Sequence, residues 1–85
     1  MKFSIYQVVN PTFKDAIIQE REYVATIEAS TPGEAFKKSQ NLDETWNKMK
    51  PCRSTSIGDI IVDEKYNKLL VCGIGFKDVT NLLIV

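Results

Sequence analysis

The sequence predicts a small α+β domain: an antiparallel sheet of four to five strands with one or two helices on one face, in β-β-α-α-β-β order, residues 1–85 forming one domain. Three observations carry this. Two N-terminal segments alternate apolar and polar residues, a helix-start signal follows at Thr31-Pro32-Gly33-Glu34, and two later apolar runs flank the polar connection Asp63 to Asn67. A chain of this length buries roughly 60–65% of its unfolded surface, enough for one modest core but not for a deep enclosed active site.

Lys2 to Val9 reads as the first strand, with Phe3 and Ile5 on one face and Ser4, Tyr6 and Val8 on the other. Asn10-Pro11 breaks it, and Thr12 to Glu20 fits either a hairpin extension or a loop. From Arg21 to Ala29, Tyr23, Ala25, Ile27 and Ala29 alternate with Glu22, Val24, Thr26 and Glu28, as in a strand with one face on a core. Thr31 to Glu34 has the form of a capping box. The Thr31 hydroxyl accepts from the Glu34 N–H, and the Glu34 carboxylate reaches back to the Thr31 N–H. Pro32 occupies the first helical position, where its missing donor costs nothing. This helix runs to about Gln40 and turns Ala35, Phe36 and Ser39 toward the sheet. A second helix start falls at Asn41, placing Leu42, Trp46 and Met49 on one face and pairing Glu44 with Lys48 outside, until Pro51 stops it. Ile60 to Val62 and Lys68 to Ile74 form an antiparallel pair, with a bend where Gly73 and Gly75 flank Ile74. The terminal run Leu82-Leu83-Ile84-Val85 pairs into the sheet or packs at a homodimer interface.

Eleven basic and eleven acidic residues balance, so no global field steers the chain toward nucleic acid or anionic lipid. A locally basic stretch of Lys37, Lys38, Lys48, Lys50 and Arg53 is interrupted by Asp43 and Glu44. The N-terminal apolar run is short, alternates with polar residues and has no small-residue cleavage site, and no segment reaches the length of a membrane span. Two widely spaced cysteines make no disulfide framework, which points to the cytoplasm. Cys72 reads as a small core residue, and Cys52, beside Arg53, as the more exposed thiol.

No catalytic constellation emerges. The chain has no histidine, so acid–base work would fall to carboxylates, Lys, Tyr or Cys. Asp59, Asp63 and Glu64 fit a turn and a solvated loop better than a carboxylate pair. Neither cysteines nor acids show metal-ligand spacing, and Gly73-Ile74-Gly75 is only a fragment of a phosphate loop. No cofactor is implied. Ser54-Thr55-Ser56-Ile57-Gly58-Asp59 has the densest hydrogen-bonding potential, best used in the backbone of the turn before Ile60, with Gly58 supplying a special conformation. Arg53 is left with two roles: gripping an anionic partner, or tying down the chain's own carboxylates. Among the aromatics Tyr6, Tyr23, Trp46, Tyr66 and Phe76, Trp46 fits the core better than a contact. Tyr66, between Lys65 and Lys68, is the most exposed contact candidate.

From Tyr23 to Phe76 the segments VATIEASTPGEAF, QNLDETW and RSTSIGDIIVDEKYNKLLVCGIGF resemble small bacteriophage and cyanobacterial proteins with an Arg-Ser-x-Ser-Val-Gly-Asp-Val motif and a closing Gly-Phe. YodL-like domains carry a related pattern. Arg53, Ser54, Ser56, Gly58, Asp59, Gly75 and Phe76 match it directly, while Ile57 and Ile60 stand where the pattern has valine. The resemblance marks a fold and implies a non-enzymatic phage-type accessory protein that binds a host protein in the host cytoplasm. The partner-contact candidates are Arg53, Tyr66, Lys65, Lys68 and Trp46. The alternative is a nucleic-acid-binding module using Lys65, Tyr66 and Lys68 or the Lys37 to Arg53 stretch.

Overall fold

The computed structural model describes residues 1–9, 20–40 and 53–81. These form five strands and one helix: β1 (Lys2–Val8), β2 (Arg21–Glu28), α1 (Pro32–Lys38), β3 (Ile60–Val62), β4 (Lys68–Val71) and β5 (Phe76–Asp78). The strands make one antiparallel sheet in the order β2-β1-β3-β4-β5. The chain is therefore a small α+β fold with β3 in the middle of the sheet, and β1, next to it, takes β2 on its other side. The expected helix around Leu42, Trp46 and Met49, the segment from Thr12 to Gln19, and the Leu82–Val85 run lie outside the described residues.

Alternation in β1 holds: Phe3 and Ile5 are buried, and the register pairs Phe3 with Ile27 and Ile5 with Ala25. In β2 the alternation breaks. The register jumps from Ile5↔Ala25 to Tyr6↔Tyr23, leaving Val24 as the extra residue of a bulge. Val24 and Ala25 are consecutive and both fully buried, whereas Tyr23 is 40% exposed. The expectation that Tyr23 faces the core with Ala25 is thus corrected, because a one-residue bulge inverts the facing of everything N-terminal to it. Tyr23 instead packs its ring against Tyr6, with centroids 5.7 Å apart, and shares a hydrogen bond with the Thr26 hydroxyl.

The sheet buries side chains on both faces. Phe3, Ile5, Val24, Ala25, Ile27, Ile61 and Val71 gather on the α1 side with Ala35 and the half-buried Phe36. Ile60, Val62, Leu70 and Val79 form a second cluster joined by Tyr6 and Cys72. This explains why Ile60–Val62 is apolar without alternation: a strand covered on both faces has no polar side to show.

Helix α1 begins as its cap chemistry predicts, with one change. The Glu34 N–H donates to the Thr31 hydroxyl at 3.1 Å, but the Glu34 carboxylate accepts from Ser30 rather than Thr31. Lys37 and Lys38 fall in the last turn, where cations favour the helix dipole. Ala35 and Ser39 are fully buried, as expected of the sheet-facing side.

At the C-terminal end the strand expected to run to Ile74 stops at Val71. Cys72 to Gly75 form a turn closed by the Cys72 N–H to the Gly75 carbonyl, and β5 returns along β4. Gly75 has φ +71°, a conformation that glycine adopts without steric cost. Cys72 lies just beyond β4 and is half-buried, so it borders the core instead of sitting within it.

Candidate functional site

Two regions concentrate the chemistry. The first surrounds Asp59, which is fully buried at the start of β3. Its Oδ1 accepts from the Val8 N–H at 2.9 Å and from Arg53 Nη2 at 2.7 Å. Its Oδ2 accepts from Arg53 Nη1 at 2.7 Å and from the Ser56 N–H at 2.8 Å. Four donors fill the four lone-pair positions of the carboxylate, and the Arg53 fork engages both oxygens. Arg53 also donates from Nη2 to the Val8 carbonyl at 3.2 Å and from Nη1 to Ser54.

The clamp stands in for a missing length of strand. The β1–β3 ladder ends at Tyr6↔Ile60, and Val8 then spends its N–H on Asp59 and its C=O on Arg53. Arg21, buried at the start of β2, donates from Nε to the Gly58 carbonyl at 2.8 Å. Burial pulls the Arg21 guanidinium below its usual range, and the Asp59 charge pulls it back up. Gln7 closes the network by donating to the Arg53 carbonyl at 2.9 Å. Gly58, at φ +96°, makes the turn that lets its own N–H donate to the Val71 carbonyl.

Of the two roles open to Arg53, the structure shows it bound to the chain's own carboxylate. The turn before Ile60 is fastened through Asp59: its carboxylate takes the Ser56 N–H, and its own N–H donates to the Ser56 carbonyl. The Thr55 hydroxyl receives Gln7 at 3.5 Å, while Ser54 and Ser56 are half-buried beside the clamp. Gln7, Val8 and Arg21 were not singled out from the sequence. Each lies 37 or more residues from its partner, and no local pattern reports a contact across that separation.

The second region is the β3–β4 turn, at the opposite end of β3. Asp63 fastens it by accepting from the N–H groups of Lys65 and Asn67 and from the Asn67 side chain. Burial pushes the Asp63 carboxyl up, but these hydrogen bonds outweigh it and leave the group below its usual range. Glu64 accepts from the Lys2 N–H. Both carboxylates are thus turned onto the backbone, and Lys65 and Tyr66 point outward. Tyr66 is 76% exposed and sits at φ +64°, the left-handed region. Among the described residues its side chain makes no hydrogen bond, ion pair or ring contact. Lys68 is half-buried.

The remaining sequence candidates are dispersed. Asp59 lies one strand length from Asp63 and Glu64, so the three acids do not form a carboxylate site. Among the described residues no group of His, Cys, Asp or Glu is placed to hold a metal, and no helix is long and apolar enough to cross a membrane. Lys38 donates to the Glu28 carbonyl and pairs with Glu34, and Arg53 is held in the clamp, so these members of the basic stretch do not share a patch. Phe76 packs edge-on against Phe36, centroids 6.3 Å apart, beside Gly75. Trp46, Lys48, Lys50 and Cys52 lie outside the described residues. Compared with known protein families, characterised proteins and solved structures, the chain matches none.

Proposed function

We propose that this chain is a non-enzymatic accessory protein of the phage type its Arg53–Phe76 motif resembles, binding a host protein in the host cytoplasm and altering its activity through the Tyr66 loop. The supporting observation is the backbone of Tyr66. A residue with a Cβ in the left-handed region costs about 1–2 kcal/mol relative to its relaxed conformations, a cost glycine avoids and asparagine reduces. A position that favours Gly or Asn therefore carries a large aromatic ring that nothing in the described fold uses. Local strain of this kind clusters at ligand clamps and contact sites. Exposed tyrosines beside a cation make strong interface anchors, since they bring large area at low rotamer cost.

A non-enzymatic role is supported by the state of the carboxylates: Asp59 and Asp63 have their oxygens committed to internal donors, so neither is poised to move a substrate proton. The test compares wild type with Tyr66→Asn. The variant is expected to be more stable by up to about 1 kcal/mol and to lose capture of the host partner. Unchanged capture, or a less stable variant, would remove the Tyr66 loop from the proposal.

The outward Lys65 and Tyr66, with both acids turned inward, also favour a second reading: a contact for single-stranded nucleic acid, the ring stacking on a base and the ammonium meeting a phosphate. Anisotropy with a labelled oligonucleotide tests it, and absence of binding at low salt would end it.

A further inference from the structure

Among the described residues the buried polar side chains gather in one place. Gln7, Arg21, Ser39, Thr55 and Asp59 are all buried, and each lies within residues 53–59 or hydrogen-bonds to them. Gln7 donates to the Arg53 carbonyl and the Thr55 hydroxyl, and Arg21 to the Gly58 carbonyl. The Ser39 carbonyl accepts the Thr55 N–H at 3.0 Å, and the Gln40 side chain donates to the Thr55 carbonyl at 2.9 Å. Residues 53–59 thus link the C-terminal end of α1 to the end of β1 with no helix or strand of their own. None of them belongs to either apolar cluster, and their one large apolar side chain, Ile57, is half-buried.

Polar and apolar attachments differ in what water can replace. Lifting an apolar side chain costs free energy in proportion to the area exposed, whereas a lifted N–H or C=O exchanges its partner for water, with a small net loss per bond. We infer that residues 53–59 form a strap that opens as one unit while both apolar clusters stay packed, with the Arg53–Asp59 pair as its catch. Both members of the pair belong to the strap, and their contact is charge-assisted and bidentate, at 2.7 Å on each oxygen. The unit is all-or-none because every buried polar side-chain atom among the described residues has a partner. Opening in part would leave some of them buried and unpaired, and opening in full gives them to water. Opening releases the Ser39 carbonyl at the end of α1 together with the N–H and C=O of Val8 at the end of β1, so one catch holds or frees both ends.

Native-state amide hydrogen exchange of the full chain in low urea tests this. The N–H groups of Val8, Thr55, Ser56 and Asp59 are bonded within the strap or to it, whereas Ile5 and Ala25 are paired in the β1–β2 ladder. The four strap amides should share one protection factor, lower than that of Ile5 and Ala25 by about tenfold or more, and respond less to urea because strap opening exposes little surface. Ile27→Val, in the α1-side cluster, should speed exchange at Ile5 and Ala25 by roughly twofold to tenfold and leave the four strap amides unchanged. Arg53→Lys, which weakens the catch, should speed all four by a common factor. Strap amides that match Ile5 and Ala25 in protection and urea response, or that Ile27→Val speeds equally, would show that the strap opens only when the whole chain unfolds and would overturn the inference. Four unrelated protection factors would overturn it too, as piecemeal fraying.

Discussion

Replacing Arg53 with alanine should cost about 3–5 kcal/mol, because it leaves a fully buried carboxylate without its counter-charge. The burial asymmetry decides this magnitude. Asp59 is 0% exposed with Arg53 in place, and the Arg53 side chain is 26% exposed, so the only route by which water could reach the vacated positions is the space Arg53 leaves, and hydration through it moves the loss toward the lower end of this range. Two backbone donors, Val8 and Ser56, would remain on the carboxylate and two positions would be empty. A domain of 85 residues has a total stability of about 4–13 kcal/mol, so the loss is about a quarter or more of what holds the chain folded. Arg53→Lys should fall between, since one ammonium keeps the charge but cannot span both oxygens and the Val8 carbonyl. Asp59→Asn preserves shape but turns an amide N–H₂ toward donors, costing about 1–3 kcal/mol for each group left unsatisfied. Urea unfolding reads all of these, and with a slope of about 1–3 kcal/mol/M the Arg53→Ala midpoint should move by more than about 1 M. The Arg53→Ala/Asp59→Ala double variant should be less damaging than the sum of the single changes. An Arg53→Ala loss below about 1 kcal/mol, the worth of an exposed ion pair, would refute the claim that the clamp carries the junction.

The two glycines flanking Ile74 should respond differently to alanine. Gly75→Ala at φ +71° should lose about 1–2 kcal/mol in thermal or urea unfolding, while Gly73→Ala, with open space around it and no positive φ, should be neutral or slightly stabilising. Equal losses at both would show that the conformation of Gly75 is not what the turn requires. Acid should weaken the fold through four carboxylates held below their usual range. These are Glu28 by the N-terminal ammonium, Glu34 by the Ser30 N–H, Asp78 by Thr80, and Asp63 by Asn67 and Lys65 against its burial. A folded-state value below the unfolded one adds stability above the unfolded value and loses it as pH falls through the folded one. Unfolding midpoints should therefore be level above about pH 5 and decline below about pH 4, and a midpoint that rises on acidification would contradict this.

Much of the local structure is legible in the residues because the responsible forces are local. Thr31-Pro32-Gly33-Glu34 starts a helix through bonds spanning three or four residues, and Asp63 to Asn67 closes a turn within five. What the sequence hides is either a one-residue irregularity or a distant partner. The bulge at Val24 leaves no mark in an otherwise regular alternation, yet it reverses Tyr23 from buried to exposed. The end of β4 at Val71 is likewise masked, because Cys72 and Ile74 continue the apolar pattern past the point where Gly73 and Gly75 bend the chain. The hydroxyl cluster suggests self-satisfaction of a turn, but the acceptor that fastens it is the aspartate at its end, drawing on Arg53 and on Val8 from a strand 51 residues earlier. Tyr66 shows the reverse case: its exposure is readable from its polar neighbours, whereas its left-handed backbone is not, since sequence alone would place Gly or Asn there.

The two halves of the Arg53–Phe76 motif are joined by a short mechanical path. Arg53 and Ser56 fix the Asp59 side chain, and the Asp59 carbonyl then accepts the Val71 N–H while the Gly58 N–H donates to the Val71 carbonyl. Val71 is both the last residue of β4 and a wall of the open cleft between α1 and the β4–β5 hairpin, and the Cys72–Gly75 turn hangs directly from it. The clamp therefore sets the position of the hairpin that bears Ile74 and Phe76. The Tyr66 loop is fastened separately, by Asp63 within its own turn and by Glu64 to Lys2. Loosening the clamp without unfolding the chain, as Arg53→Lys would, should speed amide hydrogen exchange at Val71 and Cys72 and leave that of Lys65 and Asn67 unchanged.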